Sequence, residues 1–165
     1  MTDDQLVALA ERLQDICVLR GITVGTAESC TGGLVAHVLT EVPGSSGYFA
    51  GGIVSYSNAI KERDLGVAAD VIARHGAVSA QTARAMATGA RLRLGVDVAV
   101  SVTGIAGPGG GTDEKPIGLT YIGVADRDGV DVRRYAWTGD RTANKRSSAA
   151  AALTLMIERL EDDGE

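Results

Sequence analysis

The sequence predicts a single three-layer α/β/α domain over residues 1–165, with a mixed, mostly parallel sheet between its helices. Three observations carry that reading. Short apolar or β-branched runs alternate with segments of helical period as far as residue 102, the pattern of strand-helix-strand units. Two later runs joined through Asp128-Gly129 have the signature of a hairpin. Glycine supplies 22 residues and aromatics only 4%, so Val, Ile, Leu and Ala form the core and backbone approaches backbone or ligand closely. A chain of this length supports one core, hiding about 70% of its unfolded surface.

Each element has its own signal. Residues 3–20 place Leu6, Leu9, Leu13, Ile16 and Leu19 at three- and four-residue steps, and Gly21 follows where a helix-terminating glycine belongs. Residues 22–27 read as a strand, and 31–39 as a helix entered through Gly32-Gly33. After the loop 43–47, a second strand covers 49–56, and two short helices cover 58–65 and 68–75. Ser79 is placed to cap a longer helix reaching Leu94, with Ala83, Met86, Ala87 and Ala90 on its apolar side. The run 96–102 is almost wholly apolar, as expected of a central strand covered on both faces, and it leads straight into a glycine-rich loop at 103–111. Residues 118–125 and 130–137 form the hairpin, and an Ala-rich helix spans 141–160.

Composition excludes several classes of function. Hydrophobic residues at 45% and charged residues at 22% describe a globular protein rather than a disordered one. Net charge is −5 and the one basic cluster is Arg141 to Arg146, which argues against nucleic acid as a partner. No apolar stretch approaches the roughly 18 residues of a membrane span, and the start Met1-Thr2-Asp3-Asp4 is acidic, so a cytoplasmic location with no membrane partner is expected. Cys17 and Cys30 read as free thiols. No set of His, Cys or carboxylates has metal-ligand spacing, so neither a metal nor a cofactor is expected.

In open α/β sheets ligands gather beyond the carboxyl ends of strands, here at 27–29, 55–56 and 102–104. Ser29 lies at the first of these, next to Thr31-Gly32-Gly33 and the positive end of the following helix. Its hydroxyl suits a nucleophile beside an oxyanion or phosphate site, and equally a helix cap. His37 and His75 fit structural positions better than that of a base for Ser29. Lys61, one helical turn beyond the second strand, can serve as base if burial lowers its pKa, and is otherwise a surface lysine. Cys30 with Glu28 and Lys61 forms a rival set, although extended neighbours point to opposite sides, so Ser29 and Cys30 are not expected to share a pocket. The loop from Thr103 can cradle a phosphate through Gly104 and Gly107, and Arg141 can offer a guanidinium fork to the same anion unless it is simply solvated beside a capping Asp140.

Taken in order, Thr26-Ala27-Glu28-Ser29-Cys30-Thr31-Gly32-Gly33, Gly52-Ile53-Val54-Ser55-Tyr56-Ser57-Asn58 with Lys61, Gly76-Ala77-Val78-Ser79, Thr103-Gly104-Ile105-Ala106-Gly107-Pro108 and Gly139-Asp140-Arg141 resemble the CinA C-terminal domain family. The resemblance covers nearly the whole chain. It implies an amidohydrolase that converts nicotinamide mononucleotide to nicotinic acid mononucleotide and ammonia in pyridine nucleotide recycling. Ser29 would be the nucleophile, Lys61 its base, and amides near Thr31 to Gly33 the oxyanion donors. Glu28, Cys30, Tyr56 and Asn58 would surround the site, and Thr103, Gly104, Gly107 and Arg141 would hold the ribose phosphate. The chain departs from the family pattern at Asn144-Lys145, where relatives tend to carry an apolar residue and an arginine, so that Lys145 or Arg146 would take the arginine's part. The resemblance also implies a stand-alone form and a homodimer. The other class of function it admits is a nucleotide-binding regulatory module, without turnover, in competence or DNA-damage responses.

Overall fold

A computed structural model describes residues 1–162; the last three residues of the expected 1–165 domain lie outside the described residues. Helix α1 (Asp3–Arg20) begins at a reciprocal cap, in which Thr2 Oγ1 accepts from the Gln5 amide and Gln5 Oε1 accepts from the Thr2 amide. It is followed by β1 (Val24–Glu28), α2 (Leu34–Thr40), β2 (Phe49–Val54), α3 (Asn58–Leu65), α4 (Ala69–His75), α5 (Ala80–Leu94), β3 (Val98–Gly104), β4 (Leu119–Ala125), β5 (Val130–Ala136) and α6 (Arg141–Asp162). The sheet order is β2-β1-β3-β4-β5; β1 runs parallel to both neighbours, and β4 runs antiparallel to both of its own. This is the predicted three-layer mixed sheet.

Helices α1, α2 and α6 cover one face, and α5, with α3 and α4 packed on it, covers the other. Strand β3 alternates between them: Val98, Val100 and Val102 enter the larger core, Ala99 the smaller one, and Ser101 Oγ donates to Ala83 O of α5 at 2.6 Å. Contact between α3 and α5 is close enough to require glycine, since a Cβ on Gly89 would sit 1.8 Å from the carbonyl oxygen of Leu65.

Strands β1 and β3 each begin two residues later than the sequence predicts. Thr23 and Asp97, just before them, bond to each other: Thr23 N–H and Oγ1 donate to Asp97 Oδ2 at 2.8 and 2.9 Å, and Asp97 N–H donates to Thr23 Oγ1 at 3.1 Å. The Asp97 amide also reaches Thr23 O at 3.1 Å, whereas the Thr23 amide is taken by the Asp97 carboxylate and is lost to a longer ladder. Helix α2 starts at Leu34 instead of residue 31, because Gly32 and Gly33 are left-handed, with φ of 63° and 100°. No helix among the described residues is long and apolar enough to cross a membrane.

From β1 the chain crosses to β2 on one side, then returns past β1 to β3 on the other. The connections therefore diverge beyond the carboxyl ends of β1 and β3, leaving a crevice there.

Candidate active site beyond β1 and β3

The turn after β1 is built by its glycines. Ser29 N–H still donates to Val102 O of β3 at 2.9 Å, and Gly32 N–H then folds back on Ser29 O at 3.0 Å. The Leu34 amide donates to Thr31 O at 3.2 Å, and those of Val35 and Ala36, in the first turn of α2, donate to the two carboxyl oxygens of Glu28 at 2.8 and 3.0 Å. Glu28 is 1% exposed, and both of its carboxyl oxygens are satisfied by amides at the helix start. This corrects the sequence reading: Glu28 faces α2 instead of the crevice, and the cap comes from the strand rather than from Ser29 or Thr31. The Thr31 hydroxyl is buried without a partner among the described residues.

Lysine 61 approaches from the opposite side. Ser57 caps α3 by accepting from the Ile60 amide at 3.2 Å, and Asn58 stays exposed in the first turn. Lys61, one turn in, is 1% exposed. Its Nζ lies 2.7 Å from Ser55 O, 3.1 Å from Tyr56 O and 3.1 Å from Ser29 Oγ. Burial holds the amine below the ordinary lysine range, with the neighbouring Cys30 acting weakly the other way. A neutral amine in this seat has two N–H bonds for the two carbonyls and one lone pair for the serine hydroxyl.

Cys30 also lines the crevice, contrary to the expectation that it and Ser29 face apart. The alternation rule does not reach it, since β1 ends at Glu28 and residues 29–33 form a turn. Burial pushes the Cys30 thiol up to about 11, against the pull of Lys61 and Lys145, so it stays protonated near neutral pH. With Glu28 engaged elsewhere, the rival Cys30-Glu28-Lys61 set has no carboxylate.

Ser29, Cys30, Tyr56 and Lys61 form one side of a cavity of about 280 Å³, and Ala77-Val78 with residues 103–107, Gly109 and Gly110 form the other. Thr103, Gly104 and Gly107 belong to this lining, whereas Glu28, Thr31, Gly32, Gly33 and Asn58 do not. The Thr103 hydroxyl ties the two parts of the far wall by donating to Ala77 O at 2.7 Å. Arg141 reaches over the mouth from the start of α6, where its Nη1 donates to Gly107 O at 2.7 Å and its Nη2 lies 3.4 Å from the Tyr56 hydroxyl. Asp140 caps that helix through the Ala143 amide at 2.8 Å. Neither imidazole lines the cavity; His37 sits on the surface 3.8 Å from Glu41.

The basic cluster at 141–146 is dispersed by the fold. Arg146 pairs with Asp3 at 2.6 Å, while Lys145 Nζ comes within 3.9 Å of where a Cβ on Gly32 would stand. Among the described residues no carboxylate lines the cavity, and Arg141 brings a positive charge to it. Two placements escaped sequence reasoning: the Glu28 cap, whose partners are fixed only by a left-handed turn, and the Ala77-Val78 wall, apolar residues with no chemical signal of their own.

The profile of the CinA C-terminal domain matches residues 6–160. A CinA-like protein of Geobacter sulfurreducens is 49% identical over 162 residues, covering 95% of this chain and 39% of the relative. A CinA-like protein of Chloroherpeton thalassium is 49% identical over 156 residues, covering 92% of this chain and 37% of the relative. The chain thus spans little more than a third of the length of these curated relatives. Among solved structures, the competence/damage inducible protein CihA from Agrobacterium tumefaciens superposes with a TM-score of 0.92 at 42% identity, covering 95% of this chain and 96% of the other. A CinA superfamily protein from Klebsiella pneumoniae superposes with a TM-score of 0.92 at 32% identity, covering 95% and 98%.

Proposed function

The chain belongs to the CinA C-terminal domain family, and on that premise we propose that it is a Ser/Lys amidohydrolase converting nicotinamide mononucleotide to nicotinic acid mononucleotide and ammonia. The observation that carries this reading is the 3.1 Å approach of a buried Lys61 amine to Ser29 Oγ, with two carbonyls occupying the rest of the amine's coordination. A lysine whose pKa burial lowers can act as a general base once it has lost its proton, and the residue it faces is a serine at the wall of a cavity.

The steps are those of acyl transfer. Lys61 Nζ accepts the Ser29 proton as Oγ bonds to the amide carbon, and the carbonyl oxygen takes the negative charge. The Cys30 amide, which donates to no carbonyl among the described residues, is the candidate donor for that oxyanion. Lys61 returns the proton to the departing nitrogen, releasing ammonia and leaving an ester on Ser29. Water, deprotonated by the same amine, then cleaves the ester to a carboxylate and restores Ser29. The phosphate end of the substrate is assigned to the opposite wall, where Arg141 and the backbone of residues 104–107 meet no competing carboxylate.

The test is ammonia release from nicotinamide mononucleotide by purified protein. Turnover that disappears in Ser29→Ala supports the proposal, and unchanged turnover in that variant removes Ser29 from its role. The names of the relatives, which speak of competence and damage induction, favour a second reading as a regulatory nucleotide-binding module. Tight nucleotide binding with no ammonia release would select it.

A further inference from the structure

Asn144 stands in the first turn of α6, is 2% exposed and lies outside the cavity lining. Burying a carboxamide is costly unless both its ends find partners. Here both do: Nδ2 donates to Ala106 O at 3.0 Å, and Oδ1 accepts from the Gly139 amide at 3.0 Å. One side chain thus joins the cavity loop, just before Gly107, to the segment that delivers Arg141. These are the two pieces whose relative position lets Arg141 Nη1 meet Gly107 O at 2.7 Å. The rung is itself anchored, since the Asn144 carbonyl accepts from Ser148 Oγ at 2.8 Å and that oxygen accepts from Trp137 Nε1 at 2.9 Å, beyond the end of β5. None of these hydrogen bonds involves Ser29 or Lys61, which are held by β1, the end of β2 and α3.

We propose that Asn144 is a positioning residue for substrate binding, holding Arg141 and the 104–107 backbone in register as the anion-receiving half of the cavity. The inference rests on reading the cavity as a nucleotide site. A group that sets binding geometry and leaves the reacting pair alone acts on affinity: Asn144→Ala raises KM about tenfold and leaves kcat within about twofold. Asn144→Asp keeps an acceptor for the Gly139 amide but sets an oxygen against Ala106 O, so it binds no better than the alanine variant.

The experiment combines steady-state kinetics on nicotinamide mononucleotide, calorimetric Kd for the same nucleotide, and NMR exchange of the Gly139 amide, in wild type and both variants. The expected result is a Kd and KM raised together in both variants, with Gly139 exchange accelerated in Asn144→Ala and still slow in Asn144→Asp. Faster Gly139 exchange with Kd and KM unmoved overturns the proposal while leaving the proposed activity standing, as does a kcat that falls with KM unchanged. A wild type that binds the nucleotide without releasing ammonia defeats the proposed activity instead, and the tenfold rise in Kd then supports the positioning role by itself.

Discussion

The two halves of the cavity are built on opposite principles. On the β1-α3 side, the atoms proposed to react belong to side chains, Ser29 and Lys61, both at least nine-tenths buried, and each is seated by backbone: Ser29 by Val102 O, Lys61 by two carbonyls just beyond β2. On the β3-α6 side the wall is largely backbone, and side chains hold that backbone in place, Thr103 through Ala77 O, Arg141 through Gly107 O and Asn144 through Ala106 O. Chemistry demands one proton donor and one acceptor at fixed distance, which rigid buried side chains supply. On the proposed reading, recognition of the anionic end falls to this half, through Arg141 and the glycine-rich loop beside it. The difference teaches that lesions in the first half should change rate and lesions in the second should change affinity.

The largest expected effect tests the first half. Ser29→Ala lowers ammonia release by about 10⁴-fold or more, measured as kcat, because the attacking atom is gone. Lys61→Met follows with about a 10³-fold loss, and Lys61→Arg fails to restore it, since a guanidinium does not deprotonate at working pH. The same amine predicts two pH dependences. Activity rises as pH passes upward through the depressed Lys61 pKa, because the neutral amine is the active form. Stability also rises with pH between that depressed value and the ordinary value near 10.4, since the unfolded chain binds the proton that the folded chain refuses. Below the depressed value the penalty is fully present. Chemical denaturation of wild type and Lys61→Met across pH measures it, and a difference that is flat with pH contradicts the burial argument.

Gly89→Ala tests the support of the first half. A methyl group 1.8 Å from Leu65 O forces α3 off α5, at a cost of about 3 kcal/mol in unfolding free energy. Arg141→Ala addresses the second half and has the smaller effect, a rise in KM of about 30-fold with kcat nearly unchanged, as expected for loss of one charge-assisted contact. Should Arg141→Ala lower kcat and leave KM alone, the division between the halves fails.

The strands and helices were readable because periodicity and caps are local. Ser79 caps its helix and Leu94 ends it where the sequence puts them, and the apolar run before the glycine-rich loop became the buried strand β3. Ser29 and Lys61 were legible as candidates because each follows a strand end within a turn of helix. Their neighbours were not. Whether Glu28 or Cys30 faces the cavity depends on where β1 stops and on two left-handed glycines, a three-dimensional fact that strand alternation does not encode. The burial of Asn144 carries no periodic signal, since a polar side chain in a helix reads as solvated until its surroundings are known. The dispersal of residues 141–146 has the same cause, because consecutive side chains on a helix point a third of a turn apart.

The seat of Lys61 has one more consequence. Two carbonyls and the serine oxygen are three acceptors, which equals the number of N–H bonds on an ammonium as readily as two carbonyls and a hydroxyl suit a neutral amine. The nitrogen can therefore gain and lose its proton without changing neighbours, and no solvent or side chain has to reorganise when charge passes between positions 61 and 29. On the proposed mechanism, proton transfer at this pair requires no moving part.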